Sequence, residues 1–343
     1  MTTSDSRAPS ADRRTFLAAS AASATLVAVP QFLSATEKNA AMNDIPIIDT
    51  HQHLWDVEKF KLPWLSSAPA LARSHVTRDY LEAVKGLPVV KAIYMEVDVD
   101  PSQQVMEAEH LIEISKNPAN LTVGAVISGR PASDQFASYI QRYKDNAVIK
   151  GVRQVLHVDE TKPGTCLDPA YIRGVRLLGE LGKSFDLCMR PTELGDAIKL
   201  ADACPDTRLI LDHCGNADPQ AFAKSPKSGE KPSHDADQWR RDISALAGKK
   251  NVICKISGVV ARATKGAWTS ADLAPIVNHC LDAFGPDRVV FGSDWPVCTL
   301  VATYRDWVVA LREIIANRPV ADQRKLLHDN ACLLYTSDAA DEG

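Results

Sequence analysis

Two histidines separated by a single residue follow an apolar stretch early in the chain. The stretch begins at Ile47 and ends in His51-Gln52-His53. Because side chains two residues apart in a strand project from the same face, His51 and His53 would direct two imidazoles at one point. Imidazole nitrogens bind zinc at about 2.0–2.1 Å, so the pair predicts half of a site for a divalent metal. The same pattern also occurs among surface and core histidines, and the site needs partners from elsewhere in the chain.

Two motifs in the second half of the chain supply such partners. His213 follows the apolar stretch that ends at Leu211, and Asp294 lies between Ser293 and Trp295 in a turn bounded by glycine and proline. Three histidines and one aspartate suit a single metal with an open position for water, whose pKa the metal lowers towards about 7. Asp294 is then the predicted general base. Two alternatives stay open: a core histidine at 213 and a turn-forming aspartate at 294.

Arg153 and Glu96 lie at the ends of two other predicted strands. The Arg153 guanidinium is predicted to assist catalysis and to bind a carboxylate or hydroxyl oxygen of the substrate. An ion pair of Arg153 with Glu96 or Asp186 is the alternative. Glu96 is predicted to bind substrate hydroxyls or to add a metal ligand, and a structural carboxylate is equally compatible with the sequence.

The remaining predicted substrate contacts are less specific. Arg190 ends the fifth predicted strand, and Lys255 in the seventh is a weaker candidate of the same kind. Loops of more than about 12–15 residues are usually lids, binding loops or disordered segments. The long loops 55–77 and 215–234 are therefore predicted to form the walls of the pocket, where Trp64 and Arg73 are the candidates from the first loop.

Short β-branched stretches that alternate with amphipathic ones must position these residues. The predicted strands are 46–50, 92–97, 121–127, 148–156, 184–189, 208–212, 251–256 and 288–291. The predicted helices are 77–85, 103–116, 134–144, 169–182, 193–204, 237–247, 273–284 and 304–316. Such alternation predicts an α/β fold, a (β/α)8 TIM-type barrel in one domain over residues 45–331. A doubly wound open sheet is the alternative, but no Gly-x-Gly-x-x-Gly follows the first strand to indicate dinucleotide binding.

Composition narrows the classes of partner. The 343 residues are 45% hydrophobic and carry a formal net charge of −4, so neither nucleic acid nor an anionic membrane is an expected partner. The eight cysteines include no Cys-x-x-Cys, which argues against a thiolate zinc site or a redox dithiol. A small-molecule substrate is the predicted partner, and a homo-oligomer is left open.

The two ends of the chain are predicted to lie outside the barrel. Arg13-Arg14 followed by an apolar stretch at 17–29 and small residues at 32–35 resembles a Tat signal peptide over residues 1–35, with a linker at 36–44. This pattern predicts a periplasmic or otherwise extracytoplasmic mature protein without a membrane span, and an amphipathic or disordered arm is the alternative. Residues 332–343 resemble a translated sequencing adapter and are predicted to be non-native, with a genuine acidic tail as the alternative.

The order of the motifs resembles that of the amidohydrolase superfamily. The motifs are His51-Gln52-His53-Leu54-Trp55-Asp56, Gly151-Val152-Arg153-Gln154, Leu211-Asp212-His213-Cys214-Gly215, Cys254-Lys255-Ile256-Ser257-Gly258 and Phe291-Gly292-Ser293-Asp294-Trp295-Pro296. More narrowly, they are similar to the amidohydrolase-2 branch with its sugar-lactone hydrolases. The resemblance implies a distorted barrel with His51 and His53 on the first strand and Asp294 on the eighth.

Two departures from the superfamily's binuclear members affect the expected metal count. The fourth strand ends without a lysine that could be carbamylated, because Arg153 occupies that region, and the fifth strand ends without a histidine. The resemblance therefore implies one divalent metal, with zinc as the first choice. Relatives that work without metal are also known in this branch, and there the three histidines would polarise the carbonyl group themselves.

The leading functional hypothesis is a hydrolase that opens a small lactone, either a sugar-acid lactone or another carboxylated one. Water would attack the carbonyl carbon with Asp294 as base, while the metal and His213 stabilise the oxyanion. The first alternative is a metal-dependent decarboxylase of an aromatic or unsaturated carboxylic acid on the same barrel. The second is an exported sugar-acid binding protein without turnover, which would not need the four metal-site residues.

Overall fold

The computed structural model describes residues 45–223 and 231–336. The predicted signal peptide, the linker, residues 224–230 of the predicted pocket loop 215–234 and residues 337–343 lie outside the described residues, so the interpretations placed on them stay predictions. Within the described residues no helix combines the length and the apolar character that crossing a membrane requires.

Eight parallel strands form the barrel in the order β1 to β8, as the sequence predicts. They are β1 (Ile47–Gln52), β2 (Val89–Met95), β3 (Thr122–Ser128), β4 (Ile149–Val155), β5 (Ser184–Cys188), β6 (Leu209–Leu211), β7 (Val252–Ile256) and β8 (Val289–Phe291). The first and last strands approach each other through a bridge between Gln52 and Trp295 and a hydrogen bond from Asp294 N to His51 O of 2.9 Å. The barrel is thereby nearly closed, with β6 and β8 reduced to three residues each.

One helix follows each strand and covers the outside of the barrel. The helices are α1 (Thr77–Ala83), α2 (Gln104–Ser115), α3 (Phe136–Gln141), α4 (Pro169–Glu180), α5 (Leu194–Ala203), α6 (Ala236–Ala247), α7 (Ser270–Phe284) and α8 (Tyr304–Ile315). Thr269 and Thr303 begin α7 and α8 with capping boxes, each completed by an aspartate three residues later. Because the helices cover the sheet, the strands are buried on both faces, which explains their continuous apolar stretches.

A further helical segment after α8 was not predicted from the sequence. It comprises α9 (Val320–Arg324) and the π-helical turns Lys325–Asp329 and Cys332–Thr336. Ala331 and Tyr335 are buried in a cluster with Ile48, Ile93 and Val290, residues of β1, β2 and β8. The structure does not test whether residues 332–336 are native, and that interpretation stays a prediction.

Candidate active site

The carboxyl end of β1 carries the predicted histidine pair into the barrel. His51 Nε2 and His53 Nε2 lie 3.2 Å apart, and both residues are buried. His53 Nδ1 lies 3.0 Å from the carbonyl oxygen of Met95, which only accepts hydrogen bonds. The proton of a neutral His53 is therefore on Nδ1, and the lone pair on Nε2 faces His51.

Asp294 and His213 complete the group from the ends of β8 and β6. Asp294 Oδ1 lies 3.3 Å from His53 Nε2, 3.7 Å from His51 Nε2 and 4.0 Å from His213 Nε2. Both Asp294 (φ 59°) and His213 (φ 54°) have left-handed backbone conformations. Non-glycine residues rarely adopt this conformation, and when they do they are concentrated in functional sites. The structure thus brings together all four residues predicted to bind a metal.

The spacing of His51, His53 and Asp294 fits a divalent metal. One ligand atom from each lies within 4.8 Å of the others. A tetrahedral ion with bonds of about 2.0–2.1 Å needs ligand atoms about 3.3 Å apart, and two of the three distances are 3.2 Å and 3.3 Å. Burial lowers the pKa of His51 well below its usual value, so this imidazole is neutral near pH 7. Its Nε2 faces His53 Nε2 at 3.2 Å and also lies 3.4 Å from Arg153 Nη1.

A buried ionic network lies behind His51. Asp212 Oδ1 lies 3.4 Å from His51 Nδ1 and 3.0 Å from Lys255 Nζ, and Lys255 Nζ also lies 2.7 Å from Asp186 Oδ2. Burial opposes ionisation of Asp212, but Lys255 and His51 outweigh it and hold the pKa of this carboxyl well below its usual range. Both Asp212 Oδ1 and Lys255 Nζ lie within 3.4 Å of His51 Nδ1. When Asp212 accepts the Nδ1 proton, the Nε2 lone pair is directed at the metal position and that nitrogen is more basic.

His213 has its own support from the loop after β7. Its Nδ1 lies 2.9 Å from Ser257 Oγ, and burial lowers the pKa of His213. Gly258 follows with φ +66°, and any side chain added there would overlap the His213 ring. Glycine at 258 is therefore required both by the backbone conformation and by the position of the imidazole.

A cavity of about 410 Å³ opens over these groups at the carboxyl ends of the strands. His53, His213 and Asp294 form part of its lining. In α/β barrels this end carries the active site, and the volume suits a small ligand. The cavity is therefore the candidate active site.

The predicted substrate residues divide into two groups. Trp64 and Arg153 line the cavity, and Arg153 Nε lies 2.6 Å from Glu96 Oε1, the ion pair weighed as an alternative. Glu96 is fully buried behind Arg153, and its other oxygen accepts a hydrogen bond from Asp98 N, so it does not face a substrate.

Arg73 and Arg190 do not belong to the lining of the cavity. Arg190 instead donates to Glu193 Oε1 at 2.8 Å and to the carbonyl oxygens of Val158 and Thr161, which fixes the loop after β4. Arg73 lies at the surface, and its guanidinium donates to Ser74 O. The geometry gives no support to either as a substrate contact, because loop packing directs both guanidinium groups elsewhere.

The sequence reasoning assigned no role to Asp212, His157 or Arg262, which the structure places in or beside the site, and it considered Asp186 only as a possible partner of Arg153. Asp212 and Asp186 belong to the buried network, and His157 and Arg262 line the cavity. A carboxylate at the end of an apolar strand, as at Asp212, was a usable signal. His157 and Arg262 follow β4 and β7 in loops without a sequence pattern of their own.

Comparisons with known proteins identify the family to which this chain belongs. The amidohydrolase family model matches residues 48–336, most of the chain and the whole of the barrel. The chain belongs to the amidohydrolase family. Its predicted family, its barrel fold and its character as a hydrolase are thereby confirmed.

Two curated relatives and one solved structure illustrate the family. An uncharacterized protein of Sinorhizobium fredii is 30% identical over 86% of this chain and 99% of its own length. An L-fucono-1,5-lactonase of Burkholderia multivorans is 28% identical over 82% of this chain and 92% of its own length. A zinc-bound amidohydrolase structure from Burkholderia multivorans has a TM-score of 0.73 at 24% identity, covers 85% of this chain and 100% of that one, and shows the shared fold.

Proposed function

We propose that this amidohydrolase opens a small lactone by hydrolysis of its ring ester. The observation that carries the proposal is Asp294, whose carboxylate lies beside His51, His53 and His213 on the floor of the cavity. A carboxylate next to imidazoles at the end of an α/β barrel can remove a proton from water while neighbouring groups stabilise the carbonyl oxygen. The L-fucono-1,5-lactonase relative supports a lactone as substrate.

Asp294 moves the proton in this mechanism. Its Oδ1 faces the imidazoles, while Oδ2 has no hydrogen-bond partner within residues 45–223 and 231–336. We assign Oδ2 as the base that accepts a proton as the water oxygen attacks the carbonyl carbon. The ring C–O bond then breaks, and the same carboxyl returns its proton to the leaving alkoxide, which gives the open hydroxy acid.

His213 is assigned to the carbonyl oxygen of the lactone. When Ser257 Oγ donates to Nδ1 over 2.9 Å, the proton of neutral His213 is on Nε2, which lines the cavity. Nε2–H can then donate to the oxygen as negative charge develops on it. One hydrogen bond of this kind contributes about 100- to 1,000-fold to the rate in well-studied hydrolases.

His51, His53 and Asp294 would hold a divalent ion, and we propose zinc. When bound, the ion would polarise the carbonyl oxygen and increase the acidity of the attacking water. The zinc-bound structural neighbour supports this choice of metal. Arg153 keeps Glu96 and Asp212 neutralised at the edge of the site, with its Nη1 3.5 Å from Asp212 Oδ2.

The test compares the wild type with Asp294→Asn on a panel of sugar-acid and simple lactones, with ring opening followed by a pH indicator. We expect the wild type to open at least one lactone and Asp294→Asn to lower kcat by about 100- to 10,000-fold. Asp237→Asn is the matched control, because its side chain is 75% exposed on α6. Undiminished turnover by Asp294→Asn would overturn the assignment.

The decarboxylase alternative predicts a different product. If the chain were a decarboxylase, substituted benzoic acids would release CO₂ into the headspace and the lactone panel would be inert. A non-catalytic binding protein would bind lactones without opening any of them. Both outcomes contradict the proposal, and a single set of assays separates them.

A further inference from the structure

The two halves of the cavity wall differ in chemistry. The loops after β8, β1 and β2 contribute mainly apolar side chains, Trp55, Trp64, Leu71, Val97, Val297 and Leu300, together with Asp98, which is paired with Arg130. The loops after β4 to β7, on the other half of the barrel, contribute His157, Asn216 and Arg262. Because the strands follow one another in order around the barrel, the apolar and the polar groups face each other across the opening.

Arg262 differs from the other arginine of the cavity. Arg153 pairs with Glu96 at 2.6 Å and also donates to the carbonyl oxygen of Glu96. Arg262 is partly buried, yet the described parts of the chain offer its guanidinium no hydrogen-bond or ion-pair partner. Burial lowers the pKa of Arg262, although the guanidinium stays protonated at any physiological pH.

The acid that acts on Arg262 from a distance is already engaged. Asp218 Oδ1 accepts from Gln220 N, and Asp218 Oδ2 accepts from Ser233 N, both at 2.9 Å. The Arg262 guanidinium is only partly shielded from water, and no acid of the described residues pairs with it, so its positive charge can meet a ligand in the cavity. An anion from a ligand would supply the missing partner.

His157 shows that this half of the cavity is electropositive. Its ring has no hydrogen-bond partner in the described residues and lines the same cavity. His157 is exposed at the rim of the cavity, where partial loss of hydration and the neighbouring His213, Arg153 and Arg262 lower its pKa. The imidazole is therefore neutral near pH 7 and can donate one hydrogen bond to an anion that Arg262 binds.

We propose that Arg262 binds a carboxylate of the substrate and that the substrate is an anionic lactone with an otherwise apolar body. The assignment rests on the proposed lactone hydrolysis and narrows it. A polyhydroxylated sugar lactone would leave its hydroxyl groups against Trp55, Trp64, Leu71 and Leu300. The polar groups on this half are the two indole groups and Asp98, whose carboxylate is paired with Arg130 at 2.8 Å. Trp55 Nε1 and Trp64 Nε1 already donate to the carbonyl oxygens of Arg73 and Val97.

The experiment uses a matched pair of substrates. One is γ-butyrolactone with a carboxylate on the γ-carbon, and the other carries a carboxamide at the same position. We expect the wild type to prefer the carboxylate by about 10- to 100-fold in kcat/KM, as one charge-assisted contact provides. Arg262→Met should abolish the preference, chiefly through KM, while activity on the carboxamide is retained. Arg262→Lys should keep part of the preference for the carboxylate.

Two controls separate this inference from the proposed function. Arg241→Met removes an arginine from the exposed face of α6 and should leave both rates unchanged. Binding of tetrahydrofuran-2-carboxylate, which has no ester to hydrolyse, is measured by calorimetry on wild type and Arg262→Met. Binding that weakens about tenfold or more in the variant supports the carboxylate site even if no lactone is opened. An equal loss of kcat/KM on both lactones in Arg262→Met, or unchanged binding of tetrahydrofuran-2-carboxylate, would overturn the carboxylate site.

Discussion

Ser293 bonds Asp49 across the seam where the last strand of the barrel meets the first. Ser293 Oγ donates to Asp49 Oδ2 at 2.6 Å, and Ser293 N donates to Asp49 Oδ1 at 2.8 Å. Tyr80 adds a third hydrogen bond of 3.0 Å to the same carboxyl group. Asp294 is the next residue in the chain, so this buried junction fixes the start of the turn that carries the proposed base.

Ser293→Ala should weaken both stability and turnover. The variant loses one charge-assisted hydrogen bond in the interior, so we expect the free energy of unfolding to fall by about 1–3 kcal/mol. Looser support of Asp294 should lower kcat by about 10- to 100-fold, as is typical of residues that orient a site from behind. Urea denaturation and lactone assays measure the two effects. Ser66→Ala, which removes an exposed hydroxyl group, should change neither.

Lys255→Met should destabilise the barrel strongly. Without the ammonium group, Asp186 is a buried carboxylate without its cation and Asp212 keeps only Arg153 at 3.5 Å, at a cost of about 3–5 kcal/mol. Adding Asp186→Asn to this variant removes one of those charges and should restore part of the loss. Urea denaturation compares the single and double variants with Lys85→Met, which replaces an exposed lysine just after α1 and should be neutral. Equal stability of Lys255→Met and wild type would contradict the network's role.

Removal of metal should lower the Tm of the wild type but not that of a variant that lacks one histidine of the pair. Elemental analysis after dialysis against zinc should give one ion per chain, and a chelator should lower Tm because the bound ion stabilises only the folded state. His53→Gln should lose the zinc and the effect of the chelator together. His279→Gln, whose imidazole lies on α7 and bonds Arg240 O, should retain both. Two ions per chain would contradict the mononuclear prediction.

Acid should destabilise the protein partly through His75. This residue is 3% exposed between Trp55 and Trp295, and neither ring nitrogen has a hydrogen-bond partner in the part of the chain that the structure describes. Burial lowers the pKa of His75 to about 4. Below about pH 6.5, His75 binds a proton in the unfolded chain but stays neutral in the folded chain. The free energy of unfolding therefore falls as the pH drops from about 6.5 to about 4.

His75→Phe keeps the aromatic packing and removes this proton site. Between pH 7.5 and pH 4.5 the wild type should lose about 2–3 kcal/mol more unfolding free energy than the variant. Urea denaturation at both pH values gives the difference directly. Parallel losses in the two proteins would show that His75 is protonated while the barrel is still folded.

The fold could be predicted in detail because its periodicity is local. Each strand is a short β-branched stretch and each helix an amphipathic one, so all eight of both were located to within a few residues. The proximity of His51, His53, His213 and Asp294 could also be predicted, since they lie at strand ends and the barrel brings strand ends together. Family membership followed from the same motifs.

What could not be predicted depends on loops and on long-range pairing. Arg153 and Arg262 both line the cavity. Only the packed structure shows that Arg153 forms an ion pair with Glu96, whereas Arg262 has no such partner among the described residues. Arg190 donates hydrogen bonds to carbonyl oxygens of the loop after β4, and no sequence pattern predicts these contacts. The direction of a long, flexible side chain is decided by its neighbours, and those neighbours are distant in sequence.

Gly258 links the choice of substrate to the chemistry. It begins the short turn Val259–Arg262, and it also borders the His213 ring so closely that no other residue fits. Changes to this turn that admit a different substrate would therefore also displace the His213 imidazole, which is proposed to act on that substrate. Variation of substrate range in this scaffold should be easier at Trp64 and Leu71, which line the cavity from the loop after β1 rather than from the turn that Gly258 begins. The first loop is accordingly the better starting point for directed evolution of this enzyme.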